Sequence, residues 1–268
     1  DRGVYKTTDG GKTWKAVLTV DAETGANEVI MDPRNPDLLY ASTYQRRRHE
    51  WTLIDGGPGS TLYRSLDAGA TWSKIENGLP KDDKGKIGIA LAPSAPDTVY
   101  AIVEAANRNG GFFRSTDRGA NWTKMSKEGS SSPQYYNEIF VDPVNKDRVY
   151  SMDTFLRVTN DGGKTFARLG EKSKHVDNHV IWIDPRDNDH YRVGCDGGLY
   201  ESFDRGATWQ YRANLPITQF YRVAVSQDGP FYYVYGGTQD NFSLGGPART
   251  RAQNGIPNSE WFVTQGGD

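Results

Sequence analysis

Residues 115–122 read Ser-Thr-Asp-Arg-Gly-Ala-Asn-Trp, and this short pattern decides the fold. Its general form is Ser/Thr-x-Asp-x-Gly-x-Thr/Asn followed by Trp or Phe, and it occurs five times along the chain. Consecutive aspartates are separated by about 43 to 58 residues. Spacing of this size indicates a supersecondary unit that is repeated along the whole sequence. The copies begin at Thr7, Ser65, Ser115, Thr159 and Ser202.

Each copy of the pattern has the same surroundings. A short apolar segment precedes it, and a second strand-like segment starts at its aromatic residue. About 23–25 residues beyond the aspartate comes a proline-containing mark, and an aromatic residue follows six or seven positions after that proline. Proline suits a strand end because it cannot donate to a sheet. The marks are Asp32-Pro33, Ala92-Pro93, Asp142-Pro143 and Asp184-Pro185; the aromatic residues are Tyr40, Tyr100, Tyr150 and Tyr191.

The period predicts an all-β fold, a β-propeller of four-stranded antiparallel blades. In each blade the repeated turn joins the third and fourth strands. Residues 1–268 are expected to form a single propeller with about five and a half blades. Because the first half blade lacks its first two strands, we expect further blades or domains from the same gene. The predicted blades are 3–18 (half), 27–76, 86–126, 136–169, 178–213 and 220–263.

The chemistry of the repeated turn is expected to be structural. An aspartate at a tight turn accepts hydrogen bonds from backbone N–H groups just downstream, and glycine two positions later supplies a positive φ. The aromatic ring then buries a large area between blades. We therefore do not read these aspartates as acid–base pairs. The structural set is Asp9, Asp67, Asp117, Asp161, Asp204, Trp14, Trp72, Trp122, Phe166 and Trp209.

Composition removes several classes of function. A net charge of −2 favours no nucleic-acid partner, and no apolar run is long enough for a transmembrane segment. The single cysteine, Cys195, excludes an intramolecular disulfide and a cysteine-based zinc cluster, and is expected to be a small buried residue. No phosphate-binding loop, nucleophile elbow or zinc-protease motif occurs. We expect no cofactor and assign no metal.

Three segments are candidate sites because loops at the ends of blades carry function in propellers. The first is the long loop 44–60, where Tyr44, Arg46, His49 and Trp51 combine rings and charges in the manner of a sugar site. The alternative is a solvated insertion that packs Trp51 on a neighbour. Two other long loops are predicted at 127–137 and 241–258.

The second candidate is residues 175–179, His-Val-Asp-Asn-His. If the segment is extended, alternation places His175, Asp177 and His179 on one side. This set suits a divalent metal or a general acid–base pair. The alternative is a group of polar residues satisfied by neighbouring backbone.

The third candidate is Gln239, Asp240 and Asn241, between two glycine pairs. Asp240 is either a site carboxylate or a turn residue that replaces the missing repeat pattern, and the turn is favoured. Asp196-Gly197-Gly198 most simply forms a tight turn.

The repeated pattern resembles the Asp boxes of bacterial neuraminidase repeats, found in sialidases, the sortilin luminal domain and xyloglucanases. Three stretches resemble large exported bacterial propellers that are sortilin-like or glycosyl-hydrolase-like: residues 181–185, 196–198 and 235–241. The resemblance implies a secreted, periplasmic or cell-surface protein. No segment matches the arginine cluster of sialidases or the catalytic loops of xyloglucanases.

Two hypotheses follow for function. The first is a carbohydrate-binding, glycoside hydrolase-like propeller, with Asp177 and Asp240 as the catalytic candidates and a polysaccharide as partner. The second is a non-catalytic, sortilin-like module that binds a protein partner or acts as a scaffold. Whether the protein is an enzyme is left open by the sequence.

Overall fold

The computed structural model describes residues 2–215, 218–238 and 241–266, and the regular secondary structure of this part of the chain is almost entirely β-strand. Its helical content is two single 3₁₀ turns, Ala106–Arg108 and Asn258–Glu260. Within these ranges no helix has the length and apolar character needed to cross a membrane.

The strands form six sheets that follow one another along the chain. Blade 1 has β1 (Val4–Lys6) and β2 (Lys15–Leu18). Blade 2 has β3 (Thr24–Asp32), β4 (Asn35–Arg48), β5 (Leu53–Asp55), β6 (Leu62–Ser65) and β7 (Ser73–Ile75). Blade 3 has β8 (Lys84–Leu91), β9 (Val99–Ala105), β10 (Gly111–Ser115) and β11 (Thr123–Ser126). Blade 4 has β12 (Ile139–Val141), β13 (Val149–Ser151), β14 (Arg157–Thr159) and β15 (Ala167–Arg168). Blade 5 has β16 (Asn178–Asp184), β17 (Asp187–Cys195), β18 (Gly198–Ser202) and β19 (Gln210–Tyr211). Blade 6 has β20 (Phe220–Val225), β21 (Tyr233–Thr238), β22 (Ser243–Pro247) and β23 (Phe262–Gln265).

Strand order in every blade is sequential and all pairings are antiparallel, which confirms the predicted fold class of five four-stranded blades and a half blade. In blade 2, β5 is an addition that pairs with the end of β4. Because consecutive antiparallel strands run in opposite directions, the proline marks and Asp-box turns lie at one end of each blade. The loops after the second and fourth strands lie at the other end, which we call the loop face.

The Asp-box turns share one hydrogen-bond pattern. In blade 3, Ser115 Oγ donates to Asp117 Oδ1 (2.7 Å), and Asn121 donates its backbone N–H to Oδ1 (2.9 Å) and its Nδ2 to Oδ2 (2.7 Å). The backbone N–H of Gly119, which has a φ of 76°, donates to Ser115 Oγ (2.8 Å). The other four turns repeat these contacts with threonine in place of Asn121. Each aspartate therefore closes its turn by accepting bonds from both sides.

The ring at the end of each Asp box packs on the preceding blade. Trp122 joins Tyr40 of blade 2, Phe166 meets Phe112 of blade 3 at 5.0 Å between ring centroids, and Trp209 joins a cluster with blade 4. Trp14 is 61% exposed. It belongs to blade 1, which has no described blade in front of it to cover the ring.

The register of blade 5 separates Tyr191 from the other three strand tyrosines. In blades 2, 3 and 4, the residue just before the tyrosine pairs with the first residue of the Asp box; these tyrosines are Tyr40, Tyr100 and Tyr150. In blade 5 the tyrosine itself, Tyr191, pairs with the first residue of the Asp box, Ser202. A shift of one residue moves a side chain to the opposite face of a sheet. Tyr191 therefore faces blade 4, where its hydroxyl lies 2.5 Å from that of Tyr150, and Arg192 takes the position of the tyrosines.

The hydrophobic core lies between blades. Four clusters of buried side chains join blades 1 and 2, 2 and 3, 3 and 4, and 4 and 5. Within the described residues, no such cluster joins blades 5 and 6. Blade 6 instead leaves large apolar side chains exposed, among them Tyr221, Val223, Val225 and Val263.

Candidate functional site

The second candidate segment forms a bent loop that leads into β16. Asp177 has a φ of 62°, so residues 175–177 are not extended and alternation does not apply to them. The backbone N–H of Asp177 donates to Thr154 O (2.8 Å), and His175 Nδ1 lies 2.9 Å from Val176 O. His175 Nδ1 is 4.0 Å from Asp177 Oδ2. The loop thus brings His175 and Asp177 close together, but it does so through a left-handed turn.

His179, at the start of β16, turns to a different carboxylate. Its Nε2 lies 2.9 Å from Asp196 Oδ1, while its ring stacks on Tyr136 at 5.3 Å between centroids. The Tyr136 hydroxyl donates to Asp177 Oδ1 (2.7 Å). Burial and this bond to a carboxylate raise the pKa of Tyr136, so the phenol stays protonated. Tyr136 therefore ties His179 to Asp177, a contact that sequence analysis missed because Tyr136 lies 41 residues away.

A cavity of about 380 Å³ opens beside this network, between blades 5 and 6 on the loop face. Asp196 lies in its wall, with its backbone N–H donating to Asp177 O (3.2 Å). Asn241 Nδ2 donates to Asp196 O (2.9 Å). The lining residues are Cys195, Asp196, Gly197, Gly198, Tyr211, Thr218, Gln219, Tyr221, Thr238, Asn241 and Leu244.

The cavity wall combines rings with hydrogen-bonding groups. Tyr211 is 55% exposed and Tyr221 is similarly open, so their ring faces are accessible. Asp196 and Asn241 add a carboxylate and a side-chain amide to the wall, whereas the hydroxyl of buried Thr238 donates to Phe242 O. Cys195 is half-buried rather than buried, because it lies at the end of β17 where the cavity begins, and burial raises the pKa of its thiol. Such a wall can stack on an apolar ring face and bind hydroxyl groups.

The third candidate segment is only partly described by the structure. Asn241 contributes to the cavity, as given above. Gln239 and Asp240 lie outside the described residues, so the pairing of Asp240 with Asp177 stays a prediction.

No group of three or more His, Cys, Asp and Glu side chains is arranged to hold a metal ion in the described ranges. His175 with Asp177 and His179 with Asp196 are separate two-membered contacts.

The first candidate segment is a β-hairpin rather than a loop. Strand β4 continues to Arg48 and pairs with β5, so that Arg46 lies opposite Asp55. Tyr44 is buried and its hydroxyl donates to the Asp55 carboxylate, which removes this residue from any open surface. At the tip, Trp51 is 79% exposed and stacks on His49 at 5.2 Å. Residues 44–48 contain no Gly, Pro, Asn or Asp, and this lack of turn-forming residues was the available signal that the strand continues.

A cluster of charged side chains on the innermost strands was also missed by sequence analysis. Glu28 of β3 accepts a hydrogen bond from the backbone N–H of Ile89 in β8 (3.0 Å), and burial raises the pKa of Glu28 to about 7. Lys86 of β8 pairs with Glu138 at 2.5 Å. These residues come from three blades, so proximity in sequence could not reveal them. The available signal was a charged residue inside an otherwise apolar first strand.

These features define the class of the protein. Five Asp-box turns and six consecutive antiparallel blades make the chain an Asp-box β-propeller. The sequence pattern of the BNR/Asp-box repeat family matches residues 5–16.

Individual similar proteins give more specific information than the repeat pattern does. The chain is 25% identical over 207 residues to an oligoxyloglucan-reducing end-specific xyloglucanase of Emericella nidulans, which covers 70% of this chain and 24% of that protein. It is 29% identical over 209 residues to a xyloglucanase of Hypocrea jecorina, covering 72% of this chain and 23% of that protein. The chain therefore spans about a quarter of the length of these relatives.

A solved structure agrees in fold. The GH74 xyloglucanase from Xanthomonas campestris superposes with a TM-score of 0.57 at 17% sequence identity, over 98% of this chain and 42% of that one. Likeness at this level of identity supports the propeller fold of the chain.

Proposed function

We propose that this propeller binds carbohydrate at the loop-face cavity between blades 5 and 6. The observation that carries the proposal is the cavity itself, about 380 Å³ in volume, with accessible tyrosine rings beside a carboxylate and an amide. Rings that stack on a sugar and polar groups that fix its orientation are the usual composition of a small-ligand site. The names of the similar proteins favour a xyloglucan-like glucan as the ligand.

We further propose a second contact at the hairpin tip. Trp51 presents its ring to solvent and is held there by His49, so the ring is already oriented for stacking. Arg46 lies in the same hairpin and is proposed as a polar contact. A long polysaccharide could bind both contacts at once, whereas a monosaccharide could bind only one. Binding at the first contact raises the effective concentration of the polysaccharide at the second, so the total affinity increases.

Hydrolysis is a proposal that goes further than binding. Asp177, hydrogen-bonded to Tyr136 and near His175, is the candidate acid or base in the described residues, with Asp240 as its proposed partner. Two carboxylates about 5–9.5 Å apart are needed for glycoside hydrolysis. An exported location, secreted, periplasmic or at the cell surface, would give such a protein access to polysaccharide.

The test is calorimetric titration with xyloglucan oligosaccharides, with mannan and chitin oligosaccharides alongside. Tyr211→Ala and Asp196→Asn should each weaken binding at least about tenfold, since each removes a contact from the cavity wall. Phe231→Ala is the matched control, because Phe231 is exposed in the turn between β20 and β21, at the opposite end of blade 6. Absence of binding to every glycan would refute the proposal, and reducing-sugar release with Asp177→Asn tests hydrolysis separately.

The alternative is a sortilin-like module that binds a protein. The apolar side chains exposed on blade 6 favour it, because exposed apolar patches mark protein-binding surfaces. Under this alternative, replacing Val223 and Val225 with serine should abolish capture of a partner while glycan binding is absent in all variants.

A further inference from the structure

We infer that Lys174 is a positioning residue that holds the loop 170–178, and through it Asp196, in the geometry of the cavity wall. Its effect on ligand binding rests on the proposed function. Its effect on the loop does not, and is measurable without a ligand.

Lys174 is a buried cation with every proton in use. Its side chain is 0% exposed, and Nζ donates to Glu171 Oε1 (3.0 Å), His175 O (2.7 Å) and Asn178 Oδ1 (2.5 Å). The ammonium also lies 5.6 Å from the Trp209 ring and 5.9 Å from the Tyr200 ring. Burying a charge is costly unless it is paired and hydrogen-bonded, so such a group is more useful for fixing a conformation than for general stability.

Asn178 extends the anchor into blade 4. It is fully buried, and its Nδ2 donates to Asp153 O and Thr154 O, each at 3.2 Å, and to Glu171 Oε1 at 2.9 Å. Lys174 and Asn178 therefore share Glu171, and they join the start of β16 to the loop that follows β13. The backbone N–H groups of Asp177 and Asn178 donate to the same two residues, Thr154 and Asp153.

Trp209 gives independent evidence for the same anchor. In three Asp boxes the indole Nε1 donates to the glycine of its own turn: Trp14 to Gly11 O, Trp72 to Gly69 O and Trp122 to Gly119 O. Trp209 instead donates to Gly170 O at 2.8 Å, outside its own turn. The indole of blade 5 has been redirected from its Asp box to the beginning of the loop 170–178.

This anchoring has a consequence for the cavity. Asp177 has a left-handed backbone conformation (φ 62°), which is uncommon for a non-glycine residue and is held here by the hydrogen bond from its N–H to Thr154 O. In that conformation its carbonyl oxygen accepts the backbone N–H of Asp196, which lies in the cavity wall. Without the anchor, a ligand would have to order this segment on binding, and affinity would fall accordingly.

The test compares Lys174→Met with Lys172→Met, an exposed lysine in the same loop. Methionine keeps the length of the side chain and removes the charge. In Lys174→Met we expect at least tenfold faster amide hydrogen exchange at Asp177, Asn178 and Asp196, with exchange in blades 2 and 3 unchanged. Xyloglucan oligosaccharide binding should weaken at least tenfold. In Lys172→Met, both quantities should match the wild type.

A second variant keeps the test decisive if Lys174→Met fails to fold. Trp209→Phe retains a ring and removes the bond to Gly170 O, and we expect about threefold to tenfold faster exchange at the same amides. Unchanged exchange in a folded variant would overturn the inference. If the wild type binds no glycan, the proposed function fails, yet the exchange rates still decide whether Lys174 holds the loop.

Discussion

At the scale of single residues, two kinds of carboxyl group differ in the direction of their pKa shift. Asp-box aspartates accept several hydrogen bonds, above all from the side chain four positions downstream, and the pKa values of Asp9, Asp67 and Asp117 are lowered to about 2. Glu28 is half-buried near Glu138 and Lys86, and removal of its carboxyl from water is the first cause that raises its pKa to about 7. The direction of the pKa shift therefore follows the role of the carboxyl group. The Asp-box aspartates close turns, and Glu28 makes a contact between blades.

Asp117→Ala removes the acceptor that closes the turn in blade 3. The free energy of unfolding should fall by about 0.5–2 kcal/mol, because the backbone N–H and the side-chain amide of Asn121 lose their acceptor in an exposed turn where water replaces it in part. Urea denaturation at pH 7 measures this loss, and Asp37→Ala, at an exposed position, should cost less than about 0.5 kcal/mol. The lowered pKa means that the stabilisation is complete above pH 4 and is lost as pH falls towards 2. Equal effects of the two substitutions would contradict the structural role.

The stabilisation lost or gained at Glu28 should depend on pH in the opposite direction to that at Asp117, and Glu28→Gln tests this. A carboxyl whose folded pKa is raised binds its proton more tightly in the folded state, so the contribution of Glu28 to stability is fully present below about pH 4.5 and is lost as pH rises through 7. Glutamine keeps an oxygen for the Ile89 N–H and carries no charge. We expect the variant to be more stable than the wild type by about 1–3 kcal/mol at pH 8.

Urea titrations of Glu28→Gln and wild type at pH 4.5 and pH 8 test this expectation. The two proteins should differ at pH 8 and converge at pH 4.5. Parallel pH profiles would show that Glu28 titrates as in the unfolded chain.

At the scale of secondary-structure elements, the hairpin of β4 and β5 is the largest departure from the repeat. Its two strands are joined by backbone pairing from Arg46 to Arg48 and by the Tyr44–Asp55 contact. Burial raises the pKa of Asp55, so its carboxylate depends on a donor within the hairpin. The hairpin thus presents Trp51 at the tip of a hydrogen-bonded element of secondary structure.

Tyr44→Phe should loosen this hairpin selectively. Loss of the hydroxyl leaves Asp55 without that donor, and we expect a destabilisation of about 1–2 kcal/mol with faster amide exchange in β5. Trp51→Ala, at the exposed tip, is the control and should change stability by less than about 0.5 kcal/mol. Unchanged exchange in β5 after Tyr44→Phe would show that backbone pairing alone holds the strand.

At the scale of the whole molecule, buried apolar packing is unevenly distributed along the row of blades. Blades 2 to 5 are joined by continuous apolar clusters, in which Tyr40, Tyr100 and Tyr150 are fully buried. Blade 5 presents Arg192 at the corresponding position, paired with Glu201 and lying over the Trp182 ring. A polar face of this kind cannot form the same core with blade 6, which explains why a cavity lies there.

A matched pair of valines measures this difference. Val103→Ala, in the cluster between blades 2 and 3, should cost about 2–3 kcal/mol because it leaves a cavity in a packed core. Val223→Ala, at a side chain that is 60% exposed, should cost less than about 0.5 kcal/mol. Urea denaturation gives both values, and a similar cost at the two sites would indicate that blade 6 is packed as tightly as the others.

Much of this architecture was predictable because its signals are local. The Asp box is complete within eight residues, and the proline marks and alternating strands follow at a nearly constant distance, so the number and order of blades could be read along the chain. Tyr191 shows the limit of such reading. It lies six positions after its proline, whereas Tyr40, Tyr100 and Tyr150 lie seven after theirs, and strand register shows that this difference makes it face the other way.

The sequence by itself determined the class of fold, the blade order and the segments that reach the loop face, because turn chemistry and strand periodicity act between near neighbours. Tertiary structure alone decided which residues meet: Tyr136 with Asp177, Asp196 with His179, Lys174 with Trp209, and Glu28 with β8. Apart from Asp196 with His179, which lie at neighbouring strands of blade 5, these contacts join different blades or a loop with a blade. Their geometry depends on how successive sheets pack, and no short stretch of the chain encodes that packing.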